Sequence, residues 1–387
     1  MAFNITNLVN AINAKSVTVG ADSALDKAVL LASNVKNALI YSSLVDLPTA
    51  DSSNQGDLVR IGASFGADTK YYVSHRDRWN LIGLDDSDVA TGGQIPPFQG
   101  SNYGYASGGS QPSLPGPSNI IDKFPFSSDA NATDVGNLTV GRYGLTGQSS
   151  QTHGYTSGGW NGADWGPIDK FPFTSDANAT DVGDLTVPRY NSAGQSSSES
   201  GYTSGGRTGF ARNTIDKFPF STDANATDVG DLTLARYYPA GQSDVVNGFG
   251  YTSGGDSPPA GLVNVIDKFP FSADANATDV GDLSVTRSSV AGQSSTTHGY
   301  TSGGESPPNT NVIDKFPFAS GGNASDVGDL TSARRFVAGQ SSTTHGYASG
   351  GHPLTDDIQK FPFSTDANAT YVGDLSVARF TTAGQQY

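Results

Sequence analysis

Cysteine is absent from the 387 residues, and methionine occurs once. Without thiols there is no disulfide framework and no thiolate metal site. A long chain that dispenses with disulfides is expected to be made in a cytosol, wherever it later works. Long apolar runs are also missing. None approaches the ~18–20 residues that span a membrane, and no signal peptide is read at the start. Basic residues are few, 22 Lys and Arg against 37 Asp and Glu, for a formal net charge of -15. Nucleic-acid binding needs a basic surface that displaces counterions, so it is not expected. An acidic balance suits a soluble, mutually repelling surface instead.

Repetition is what the chain has in abundance. Lys-Phe-Pro-Phe begins at Lys123, Lys170, Lys217, Lys268, Lys315 and Lys360, and Gly-Tyr-(Ala/Thr)-Ser-Gly-Gly begins at Gly104, Gly154, Gly201, Gly250, Gly299 and Gly346. From Phe124 the aromatic phrase returns after 47, 47, 51, 47 and 45 residues. The 48 glycines suggest a flexible linker at first sight. Each copy, however, keeps Phe, Tyr, Val, Ile and Leu in register, which low-complexity sequence does not do. Short apolar runs broken by Gly, Pro and Asn, at a period of about 40–50 residues, predict propeller blades of about four strands each.

Before the array, residues 1–46 carry apolar positions at near-helical spacing. Ile5, Leu8, Val9 and Ile12 form a short face; Leu25, Ala28, Val29, Ala32, Val35, Leu39 and Ile40 continue it behind a cap at Asp22 or Ser23. Such a stripe predicts either packing against the small domain that follows or docking and oligomerisation. Residues 47–84 read as a small β-meander, with strands around Leu58–Ile61, Tyr71–Val73 and Trp79–Ile82. The Leu-Pro-Thr-Ala-Asp lead-in at 47–51 and the Tyr-x-Val…Trp-Asn-x-Ile ending resemble modules near the start of phage tail-fibre and other virion proteins. Residues 85–102 have linker chemistry.

The array occupies 103–387. In its second unit the expected strands are Arg142–Ser150, Gly154–Ser157, Ile168–Phe171 and Val182–Val187, with Pro172 ending the third because proline donates nothing to a ladder. The order Arg-x-x-x-Ala-Gly, Gly-Tyr-x-x-Gly-Gly, Ile-Asp-x-Phe-Pro, Asp-Leu resembles the kelch repeat. Val135, Val182, Val229, Val280, Val327 and Val372 stand where kelch units carry Trp. The array opens at a second strand and finishes with a lone first strand, Arg379–Gln385. The expected fold is therefore an all-β six-bladed β-propeller, kelch-like, its C-terminal strand closing the first blade, behind a small N-terminal α+β module.

Comparing copies within the chain separates scaffold from variable positions. The segment after Gly-Gly differs every time, and it supplies Trp160, Trp165, Arg207, Phe210, Arg212 and His352 as candidate binding residues. Its loops are expected on one face and the near-constant Asp-Ala-Asn-Ala-Thr-Asp loops on the other. The constant loop has chemistry of its own. Asp129, Asn131, Thr133 and Asn137 follow the 1-3-5-9 spacing of calcium ligands, as do Asp176, Asn178 and Asp184; Asp223, Asn225 and Asp231; Asp274, Asn276 and Asp282; and Asp366, Asn368 and Asp374. They resemble the calcium loops of integrin-type propellers, though Thr replaces the fifth-position Asp and copy five has Gly321 first. The alternative is an Asx turn repeated by duplication. His153, His298 and His345 fall in three different units and read as turn residues rather than a shared metal site.

No Ser-His-Asp set, Asp box or paired-glutamate constellation stands out, so no enzyme is expected. The resemblances imply a phage virion protein made in the host cytoplasm, a tail-fibre or receptor-binding head that meets host surface glycan or protein. The N-terminal module would contact other virion proteins or further copies of itself. A decoration protein of capsid or tail, a glycan-cleaving spike and a cellular kelch-type module are the alternatives. Neither a membrane span nor a resident cofactor is expected, calcium being the one candidate ion.

Overall fold

The computed structural model describes residues 99–112 and 116–387, together with four earlier strands, Leu39–Tyr41, Leu58–Ile61, Lys70–His75 and Arg78–Leu81. Those four form one sheet in chain order. The last three are antiparallel neighbours within the expected meander. Leu39–Tyr41 departs from expectation: the helical stripe continues through Leu39 and Ile40, yet the segment runs parallel to Leu58–Ile61, with Leu39 opposite Val59. An open sheet edge offers three apolar residues ladder hydrogen bonds that override a local period of 3.6. The rest of the helical expectation over 1–46 lies outside the described residues. This N-terminal unit and residues 97–387 are separate compact bodies.

Residues 103–387 build six four-stranded antiparallel sheets. Blade two is representative, with strands Thr146–Ser149, His153–Ser157, Pro167–Pro172 and Thr180–Asp184 from the axis outward. Its third strand ends at proline, as read from the sequence. The first strand begins at Thr146 rather than Arg142, and the fourth ends at Asp184 rather than Val187, the latter for a local reason. Leu185 turns into the core, and the Thr186 N–H leaves the ladder to donate to the Asp216 carboxylate of the next blade at 2.9 Å. Gln99 and Gly100, inside the expected linker, are buried on blade six, where Gly100 N donates to Ser341 O at 2.8 Å.

Closure occurs in blade one. Ala383–Gln386 supplies its inner strand and pairs antiparallel with Tyr103–Ser107, Gln385 opposite Tyr105. Around the axis the six inner strands approach backbone to backbone. A Cβ on Gly147, Gly194, Gly241, Gly292, Gly339 or Gly384 would lie 2.0–2.2 Å from the carbonyl oxygen of the glycine in the preceding blade. Only glycine permits that spacing. Gly241→Ala is thus expected to destabilise the propeller by about 3 kcal/mol or more, as overpacking against backbone does. Gly166→Ala, whose nearest neighbour would be 3.4 Å away, should cost far less. Urea-unfolding midpoints measure both, and equal midpoints would refute the close approach.

The core lies between blades rather than within them. Tyr155 stacks on Phe220 of blade three at 4.8 Å and packs on Phe218 at 5.5 Å, while Gly154 leaves room for Phe171 of its own blade. The same trio recurs at every interface, including Tyr347 on Phe126 and Phe124 where the ring closes. Nearer the axis, Gln148 donates to Tyr202 O, and Gln195, Gln242, Gln293, Gln340 and Gln385 repeat that bond around the ring. Each blade also buries a guanidinium. Arg142, Arg189, Arg236, Arg287 and Arg379 sit 3.0–3.1 Å from Asp169, Asp216, Asp267, Asp314 and Asp122, with no side-chain exposure on either partner. Burial pushes these guanidinium pKa values down from the ordinary range, and the paired carboxylates oppose the shift.

Candidate functional site: a variable face on a repeated scaffold

The turn from each blade into the next is where the chain meets its variable loops. After each buried arginine comes a residue that forms a two-residue antiparallel bridge with the residue after Gly-Gly. The bridges are Tyr143 with Trp160, Tyr190 with Arg207, Tyr237 with Asp256, Ser288 with Glu305, Arg335 with His352 and Phe380 with Ser110. One residue further on, the backbone closes a second ring on itself. Asn191 N donates to Gly144 O at 2.7 Å, Tyr238 to Asn191 at 2.8 Å, Ser289 to Tyr238 at 2.9 Å and Phe336 to Ser289 at 2.8 Å. Thr381 then donates to Phe336 at 3.0 Å and Gly144 to Thr381 at 3.1 Å.

That inner ring is strained. Asn191, Tyr238, Ser289, Phe336 and Thr381 hold φ between 54° and 60°, in the left-handed region where non-glycine residues cost about 1 kcal/mol or more each. Only Gly144 adopts it freely, at 64°. Six intersubunit-like hydrogen bonds offset the strain, one per blade. The same backbone therefore presents one glycine and five different side chains around a shallow mouth of about 70 Å³, while the axial cavity beneath it holds about 110 Å³.

These positions form a nearly continuous run of rings and cations. Tyr143 lies 5.2 Å from Trp160; Arg207 sits over Tyr190 at 5.6 Å and over Tyr237 at 4.9 Å. Tyr237 contacts Tyr238 at 5.2 Å, Tyr238 contacts Phe336 at 5.1 Å, Phe336 stacks on Phe380 at 5.9 Å, and His352 stands edge-on to Phe380 at 5.7 Å. Burial pushes the Tyr238 hydroxyl up to about 12, so it stays a neutral donor. The Tyr237 hydroxyl, raised by burial and by its bond to Asp256 at 2.8 Å, does the same.

Of the candidate residues, Trp160, Arg207 and His352 belong to the bridge ring. Trp165 and Arg212 stand a step away. Their carbonyls accept from Arg189 N and Arg236 N, so their backbones help hold the turns that carry the buried arginines. Phe210 is at the tip of the hairpin formed by Arg207–Thr208 and Phe210–Ala211, and it is 82% exposed. Sequence comparison singled out the loops after Gly-Gly but missed Tyr143, Tyr190, Tyr237, Tyr238, Phe336 and Phe380. The same test of variation between copies finds them, since the two residues after each repeat arginine read Tyr-Gly, Tyr-Asn, Tyr-Tyr, Ser-Ser, Arg-Phe and Phe-Thr.

On the opposite face the Asp and Asn side chains of the constant loops reach across to the preceding blade. Asp129, Asp176, Asp223, Asp274 and Asp366 pair with Lys360, Lys123, Lys170, Lys217 and Lys315. Asn131, Asn178, Asn225, Asn276 and Asn368 accept the N–H of Asp374, Asn137, Asp184, Asp231 and Asp329. Aspartates at the ninth position of the loop, such as Asp184, Asp231 and Asp282, thus serve through their backbone N–H, the last toward Asn323. In blade five Gly321 replaces the aspartate, and Lys268 of blade four lies over Phe249 at 3.8 Å, where other blades have Tyr, His or Ser. Each loop spacing that resembles a calcium motif therefore also works as a clamp between blades.

Among the described residues, Asp356, Asp357 and Asp374 are the one acidic trio whose oxygens lie within 4.8 Å of one another, and Arg334 bonds Asp357 at 2.8 Å. His153, His298 and His345 each contact a neighbouring threonine hydroxyl and stay in separate blades. No described helix is long and apolar enough to cross a membrane. No family model matches the sequence, and no curated protein matches it.

Proposed function

We propose that this chain is a non-enzymatic recognition protein of a phage particle, whose propeller presents its variable face to a glycan or protein on the host surface. The single observation that carries this reading is the sorting of differences. Six near-identical blades change their side chains at the mouth and in the surrounding bridge ring, while the Asp-Ala-Asn-Ala-Thr loop of the other face is identical in five of its six copies. Drift alone would reach the Asp-Ala-Asn-Ala-Thr loops as well. Rings and guanidiniums, the groups found at binding hot spots, are gathered there on backbone that is fixed by hydrogen bonds. Many copies on one particle would turn weak contacts into avid attachment.

The experiment is made on the particle that carries the chain. Replacing Trp160, Tyr237 and Phe336 together by alanine should leave particles assembled and lower adsorption tenfold or more. Particles that fall apart would reassign the propeller to structural decoration. Release of sugar fragments from host envelope by purified wild type would make it a cleaving spike.

A further inference from the structure

The variable face is not chemically even around its ring. Blades two to four carry Tyr143, Trp160, Tyr190, Arg207, Tyr237 and Tyr238, whereas the far side pairs its cation internally, Arg335 to Glu305 at 2.5 Å. Arg207 has no such partner. Among the described residues its guanidinium meets only the faces of Tyr190 and Tyr237, and the surrounding protein carries a net charge of -15. Asp256, the acid bridged to Tyr237 on the ring, accepts from the Tyr237 hydroxyl at 2.8 Å. Clamped between two rings, the guanidinium keeps one orientation, and its outer nitrogens remain open to a planar anion.

Resting on the reading above, we propose that the arc over blades two to four binds a sugar bearing an acidic group, with Arg207 holding the anion and Tyr143, Trp160 and Tyr238 offering ring faces and hydroxyls to the pyranose. An aromatic face suits the C–H side of a sugar ring, and a fixed guanidinium suits a carboxylate or sulfate in bidentate fashion. The arc lies open beside the shallow axial mouth, which fits a chain passing across the surface better than a small molecule enclosed in a pocket.

The test is a titration of full-length protein against paired oligosaccharides. Each pair sets a uronic-acid, nonulosonic-acid or sulfated sugar against its carboxyl-reduced or desulfated counterpart. At least one acidic member should bind tenfold or more tighter than its neutral partner, and the preference should shrink as salt is raised. Arg207→Met, which keeps an apolar stem between the rings, should abolish the preference while thermal unfolding stays unchanged; Arg207→Lys should restore part of it. No preference for any acidic member, or one that survives Arg207→Met, overturns the proposal. If acidic and neutral sugars bind alike and the Trp160→Ala, Tyr237→Ala double variant loses both, acid recognition fails and the recognition face stands. Binding unaffected by that double variant would sink both.

Discussion

Removing residues 383–387 should abolish the native propeller. The first four of them form the whole inner strand of blade one, from Ala383 opposite Ser107 to Gln386 opposite Gly104. They also reach blade two, through Gln385 to Tyr155 O at 3.1 Å, Gln386 N to Ser149 Oγ at 3.0 Å and the stack of Tyr387 on Phe173 at 5.2 Å. Their loss uncovers Tyr103–Ser107 as an unpaired edge and removes one of the six glycines that pack the axis. A ring is stabilised by having no ends, and an open edge templates aggregation. The truncated chain is expected to lose its single cooperative melt, become sensitive to protease across the array and elute as aggregates in size exclusion. A truncated chain that melts cooperatively near the wild-type temperature would show that the last strand is dispensable.

The second large effect concerns the charges sealed inside each blade. Asp267 accepts from Arg236 at 3.0 Å, from Thr233 N at 2.9 Å and from Thr233 Oγ1 at 2.6 Å, with Arg236 fully buried. Asp267→Ala leaves a guanidinium without its counter-charge in a dry site, which typically costs about 3–5 kcal/mol. Blade six supplies an internal comparison. Gln359 stands there in place of the aspartate, and Arg334 turns to Asp357, whose side chain is 34% exposed. A carboxylate in contact with water is screened, so Asp357→Ala should cost less than Asp267→Ala, although Arg334 is itself buried. Urea unfolding of the two variants measures the difference. Equal losses would mean that burial does not set the value of the pair.

Much of this architecture was legible in the residues. The recurrence of Lys-Phe-Pro-Phe and Gly-Tyr gave the number of blades, and the missing first strand at the start, matched by an orphan at the end, gave the closure at Ala383–Gln386. Trp160, Arg207 and His352 were found because their loops differ where everything around them repeats. Other parts were hidden for physical reasons. Leu39–Tyr41 follows a helical period and still forms a strand, because pairing with Leu58–Ile61 is a long-range contact that local spacing does not encode. The aspartates of the constant loop have the spacing of ion ligands, and that spacing says nothing about whether their partner lies in the same loop or, like Lys123 for Asp176, in the blade before.

By itself, then, the chain determined the unit, its copy number, the order of its strands and which loops were free to differ, because register and periodicity are local properties that duplication preserves. Only the tertiary structure decided what each repeated residue is for. Gly147 and its five equivalents are needed because six strands converge on one axis, and Tyr155 belongs to an interface rather than to its own blade. Tyr238 and Phe336 become neighbours 5.1 Å apart, although 98 positions separate them in the chain, because the ring bends back on itself. Convergence around an axis is a property of the closed assembly of blades, and no single repeat contains it.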